Sequence, residues 1–155
     1  MHNRREMLSQ SAKVAAMLAA VGLLPGVARA QAGGFNTAAF AAKNMADVMK
    51  AVGGSAPTES KDVTITGPDI AENGAVVPVG AASALPGVKR LLILVEKNPA
   101  MLIAIFDVTD AIDANIATRV KMGQSSNVFA VAMMNDGKVL YAQKEIKVTL
   151  GGCGG

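Results

Sequence analysis

Between Val63 and Thr149 the chain breaks into seven short runs rich in β-branched and apolar residues, each bounded by turn formers. The runs are Val63–Thr66, Ala75–Gly80, Lys89–Glu96, Met101–Val108, Ile116–Met122, Asn127–Met134 and Lys138–Thr149. Such runs suit strands, and this many within about ninety residues favours a β-sandwich over any helical fold. The turns between them carry their own chemistry. Glu72-Asn73-Gly74, Lys97-Asn98-Pro99 and Asn135-Asp136-Gly137 supply Asn or Gly, which tolerate positive φ, or Pro, which fixes its own. The last of these is a strong hairpin signal.

Two runs, Leu91–Val95 and Leu102–Phe106, are apolar without strict alternation, as in strands covered on both faces. The cover is either an N-terminal helix or a subunit interface, and an obligate partner is the favoured expectation. A helix is expected from Asn36 to Val52, where Phe40, Met45, Val48, Met49 and Val52 fall near helical spacing. Asn36 suits its N-cap and Gly53-Gly54 its stop.

Residues 1–30 read as an address label. Arg4-Arg5 with Leu8 fits a twin-arginine export signal, the apolar run Val14–Leu24 is shorter than the roughly 18 to 20 residues that span a bilayer, and Pro25 breaks it. Small residues Ala28 and Ala30 suit cleavage after Ala30. The expected product is a folded periplasmic protein with no membrane attachment. The expected organisation is therefore a cleaved signal over 1–30, a helical segment over 31–54, a sandwich over 55–150 and an arm over 151–155.

The leader carries four of the 15 Lys and Arg and one of the 12 Asp and Glu, leaving eleven of each. A neutral domain without a basic cluster offers no footprint for nucleic acid or an anionic membrane. The leader also takes His2, the single histidine, and the chain has no Trp. Ser-His-Asp or Cys-His catalysis, a zinc site and covalent haem attachment all need residues that the remainder lacks. No catalytic residue and no cofactor are expected.

The lone cysteine stands in Gly151-Gly152-Cys153-Gly154-Gly155, directly after the last run. Glycine gives up the most entropy on ordering and has nothing to pack, so this segment is expected to extend as a mobile arm. Five extended residues reach on the order of 17 Å, enough to enter a deep, narrow active site. Bare backbone on both sides of the sulfur eases that entry. Nothing nearby activates the thiol, since Lys147 is the nearest cation and no imidazole is available. An exposed unpaired cysteine in an oxidising compartment is a hazard unless it is used, although it could also link two copies by a disulfide.

Other classes can be read from the same residues. Gly154-Gly155 would fit a thiocarboxylate sulfur carrier activated by adenylation, but that chemistry uses a terminal carboxylate, needs ATP and has no use for Cys153. Cys153 with Met45, Met49, Met101, Met122, Met133 and Met134 would suit Cu(I), although methionines scattered over strands and a helix are more often core. Asp107, Asp110 and Asp113 lack the Gly and Glu of a calcium loop and read as a solvated connection.

The terminal Gly-Gly-Cys-Gly-Gly, with the segments 70–79 (Ile-Ala-Glu-Asn-Gly-Ala-Val-Val-Pro-Val), 96–99 (Glu-Lys-Asn-Pro) and 119–122 (Arg-Val-Lys-Met), resembles the SoxY family. SoxY is the sulfur-carrier subunit of the SoxYZ complex in bacterial thiosulfate oxidation. The resemblance implies an immunoglobulin-like antiparallel sandwich paired with a SoxZ-like subunit. It implies that Cys153 is the covalent attachment point for sulfur and that Gly151, Gly152, Gly154 and Gly155 form the swinging arm. It further implies that the haem enzyme SoxAX joins thiosulfate to the thiol and that SoxB hydrolyses sulfate from the product. Where present, a sulfane dehydrogenase oxidises the sulfur left behind.

Overall fold

Asn36 and Asn44 each open a helix. In the computed structural model, which describes residues 36–149, helix α1 spans Thr37–Ala41 and α2 spans Met45–Val52. The Asn36 side chain accepts the Ala39 N–H at 3.0 Å and the Asn44 side chain accepts the Asp47 N–H at 2.9 Å. The single helix expected over 36–52 is therefore two. Asn44 takes the extended backbone of an N-cap and Ala42 leaves α1 with ψ 141°, because an Asn side chain competes for backbone N–H groups and restarts a helix more readily than it continues one. Helix α2 ends at Gly53, whose N–H reaches the Lys50 carbonyl.

The remainder of the described chain is strand: β1 (Thr58–Glu59), β2 (Val63–Thr66), β3 (Ile70–Ala71), β4 (Val77–Ser83), β5 (Val88–Val95), β6 (Leu102–Asp107), β7 (Asn115–Val120), β8 (Ser126–Met134) and β9 (Val139–Val148). Each of the seven expected runs overlaps one of the longer strands, with β4 running three residues beyond the expected Gly80 and the starts of β5, β7 and β8 one residue earlier. The hairpin signal is sound: Gly137 takes φ +88°, the Asp136 carboxylate accepts the Lys138 N–H at 3.0 Å, and β8 pairs antiparallel with β9. The other Asn turns work differently. Among the described residues no non-glycine takes positive φ, and Asn73 instead turns the chain by accepting the Ala75 N–H at 2.9 Å with its side chain.

The larger sheet runs β1-β9-β8-β5-β6, with β3 also on β9, and the smaller runs β2-β4-β7. The longer strands pair antiparallel. The two-residue strands β1 and β3 are parallel to β9 and follow one another along its outer edge, at Leu140–Tyr141 and at Lys147–Val148. Between them Lys144 closes the gap. Its Nζ donates to the Gly67 carbonyl at 2.6 Å and sits 2.9 Å from the Asp69 carboxylate.

The Lys144 hydrogen bond first, and its charge second, lower the pKa of Asp69 from the ordinary carboxylate value. A lowered folded pKa means the pair contributes fully above the unfolded carboxylate range, roughly pH 4, and is lost as pH falls through the folded value. Asp69→Asn is expected to flatten the acid limb of urea midpoints measured between neutral and acid pH. The effect is small, because Asp69 is exposed.

The sheets bury Val77, Val79 and Ala81 of β4 against Leu91, Ile93 and Val95 of β5, together with Val128 and Ile146. The intervening β5 residues Leu92 and Leu94 point the other way, into a second core with Leu102, Phe129, Val131 and the helix residues Ala39, Val48 and Met49. This explains the missing alternation. The face expected to need an obligate partner is covered by the chain's own helices, since one period-2 strand buried on both sides must be apolar at every position.

Candidate functional site: the root of the C-terminal arm

Of the residues singled out from the sequence, Arg4, Arg5, Ala28, Ala30 and Cys153 with Gly151, Gly152, Gly154 and Gly155 lie outside the described residues. What the structure describes is the place from which the arm departs. Strand β9 ends at Val148, and Thr149 is the last described residue.

Both residues are held from two sides. The Val148 N–H donates to Ser125 Oγ at 2.9 Å, and that hydroxyl lies 3.5 Å from the Val148 carbonyl. On the other side, the Thr149 N–H donates to the Ala71 carbonyl at 3.1 Å and its hydroxyl to the Glu72 carbonyl at 3.3 Å. One residue pair earlier, the Lys147 N–H donates to the Asp69 carbonyl at 2.9 Å. The ladder thus runs to the last described residue.

Three loops meet at this end of the sandwich. The Met122 N–H donates to the Gly74 carbonyl at 2.7 Å, joining the β7–β8 and β3–β4 loops. Gly74 must be glycine here: a Cβ would stand 2.5 Å from the Met122 carbonyl oxygen and 2.8 Å from Val148 Cγ1. Asn98, in the β5–β6 turn, donates to the Lys121 carbonyl at 2.7 Å and accepts the Gly123 N–H at 3.3 Å. The three segments that resemble a known family, around 70–79, 96–99 and 119–122, are therefore neighbours around the root of the arm. They were scattered along the sequence.

Sequence reasoning missed Ser125, Thr149 and the carbonyls of Ala71 and Glu72. Strand β3 is too short to show a period, and hydrogen bonds between backbone groups leave no mark on residue type.

The described residues gather no catalytic set at this end. Its ionisable groups include the exposed Asp69, Glu72, Glu96, Lys97, Lys121 and Lys147, and no group of three or more His, Cys, Asp or Glu stands close enough to hold a metal among the described residues. The methionines divide between the two cores. Met49 and Met101 lie in the helix-side core, Met122 lies between the sheets, and Met45, Met133 and Met134 pack at the margins of these two cores. Asp107 pairs with Arg90 at 2.6 Å, whereas Asp110 and Asp113 are exposed in the β6–β7 loop. A cleft of about 540 Å³ lined by Ser83, Leu85, Pro86, Asp110 and Ile112 lies at the other end of the sandwich, roughly a nine-residue strand, or about 30 Å, from the arm root.

The family model described as sulfur oxidation protein SoxY matches residues 48–153, from within α2 to the cysteine itself. The solved structure of the sulfur carrier protein SoxY from Chlorobium limicola f thiosulfatophilum is 33% identical in sequence with a TM-score of 0.60, over 66% of this chain and 93% of that one. A variant of superoxide reductase (neelaredoxin) from Ignicoccus hospitalis superposes with a TM-score of 0.51 at 16% identity, over 56% of this chain and 79% of that one. That second likeness concerns the fold alone. No curated protein matches the chain in sequence.

Proposed function

Because the chain belongs to the SoxY family of sulfur oxidation proteins, we propose that it is a carrier that holds sulfur covalently on Cys153 while other enzymes act on it. The observation that carries this is the extent of the family match. It covers the whole sandwich from β1 onward and stops at Cys153, four residues beyond the hydrogen-bonded Thr149.

The chemistry divides between carrier and enzymes. The Cys153 thiolate supplies the sulfur that joins the outer sulfur of thiosulfate. The new S–S bond forms as two electrons leave to a haem enzyme of the SoxAX kind, giving a thiosulfonate-capped cysteine. Water then attacks the terminal sulfone in a hydrolase of the SoxB kind, which releases sulfate and two protons and leaves a persulfide on Cys153. A sulfane dehydrogenase, in a system that has one, oxidises that persulfide sulfur further. The carrier itself contributes a thiol, a tether and a rigid root, and no catalytic group.

The leader places this work in the periplasm, through export of the folded protein by the twin-arginine route. A SoxZ-like subunit completes a heterodimer. In this reading the arm is the moving part and the sandwich the handle.

Intact-mass spectrometry of the protein from thiosulfate-grown cells, with and without reductant, tests the proposal. The expected result is mature protein starting after Ala30 and carrying sulfur adducts on Cys153 that reductant removes. A chain that never carries such an adduct sinks it.

A further inference from the structure

Cys153 follows Thr149, the last hydrogen-bonded residue among those described, by four residues. A chain gains at most about 3.3–3.6 Å per residue, so the backbone of Cys153 stays within about 14 Å of Thr149. An enzyme whose site is recessed by most of that length must therefore bring its rim against the residues surrounding Thr149.

Two of the three large apolar side chains exposed among the described residues stand at this point. Ile70, 58% exposed, precedes Ala71, whose carbonyl holds the Thr149 N–H. Val76, 50% exposed, lies two residues from Gly74, which packs on Val148, and so is within about 7 Å of it along the chain. The third, Ile112, lies by the cleft at the opposite end. Single exposed apolar residues are ordinary on any surface. These two flank the exit of a reactive tether, where an enzyme with a site that deep would cover them.

We propose that Ile70 and Val76, on the β3–β4 segment, are the apolar contact on which arm-processing enzymes seat their active-site entrances. The inference rests on the carrier reading of Cys153. The partner it fits is an enzyme with an apolar rim around a site nearly as deep as the arm can reach. Successive enzymes share the same seat, because the arm has a single root. Recognition then resides in the folded domain, and the sulfur species on Cys153 is free to change from step to step.

The test uses the full-length carrier with its co-purifying subunit, loaded with thiosulfate, and the hydrolase that releases sulfate from it. In Ile70→Ser/Val76→Ser, kcat/KM for sulfate release is expected to fall at least about tenfold, mainly through KM. The rate at which unloaded Cys153 reacts with a small aromatic disulfide is expected to be unchanged, as that reaction needs no docking. Ile70→Asp/Val76→Asp, checked for an unchanged melting temperature, is expected to lose more, and Ile112→Ser to lose nothing. The proposal is overturned if both double variants are processed within about twofold of the wild type, or if Ile112→Ser loses as much. It is also overturned if the variants release their co-purifying subunit, which would make this face a subunit interface. A wild-type carrier turned over no better than Cys153→Ser would instead remove the carrier reading beneath it.

Discussion

A chain carrying Cys153→Ser is expected to purify without any sulfur adduct and, in place of the wild type, to leave thiosulfate unoxidised. The loss should be complete, because a serine hydroxyl cannot form the S–S bond through which thiosulfate is held. Folding should be untouched: the substitution lies beyond Thr149, the last of the described residues and one hydrogen-bonded to the domain. Equal melting temperatures with no adduct by mass spectrometry are the expected pair of results. Sulfur loading retained on the serine chain would favour the carboxylate route through Gly154-Gly155 and would defeat the thiol mechanism.

The second large effect is on stability. Leu92→Ala and Ile93→Ala are each expected to cost about 2–5 kcal/mol, measured by urea unfolding of the isolated chain. Both residues are fully buried, yet they face opposite ways, Ile93 between the sheets and Leu92 beneath the helices. If the outer face of β5 depended on another subunit, Leu92→Ala would cost little in the isolated chain while Ile93→Ala kept its full penalty. Comparable losses would show that α1 and α2 complete a core of their own.

That pair of residues also marks where the sequence is legible and where it is not. The uninterrupted apolar run Leu91–Val95 announces a strand buried on both faces, but nothing in it says what lies on the second face. The answer comes from Ala39, Val48 and Met49, in a segment where Asn44 divides one expected helix into two. The longer strands are legible because β-branched runs and Asn or Gly turns are local signals. The two-residue β1 and β3 are not, since their pairing with β9 is decided by partners far along the chain.

The candidate site is legible in the same uneven way. Cys153 stands out in the sequence because four glycines isolate it. The grip of Ser125, Ala71 and Glu72 on Val148 and Thr149 does not, because it is made largely of backbone groups and one ordinary serine.

The tandem seating of β1 and β3 on the outer edge of β9 also orders events in time. The hydroxyl of Thr149 meets the carbonyl of Glu72 across 77 residues of chain. Contacts between segments so far apart in sequence close only after the intervening loop has lost its freedom, and they slow folding accordingly. The β8–β9 hairpin, closed by the local Asn135-Asp136-Gly137 turn, can form early. The grip on Thr149 waits for β3 to reach the edge of β9. The arm is therefore rooted at Thr149 only once β3 and β9 lie side by side, which makes a fixed root a property of the completed fold.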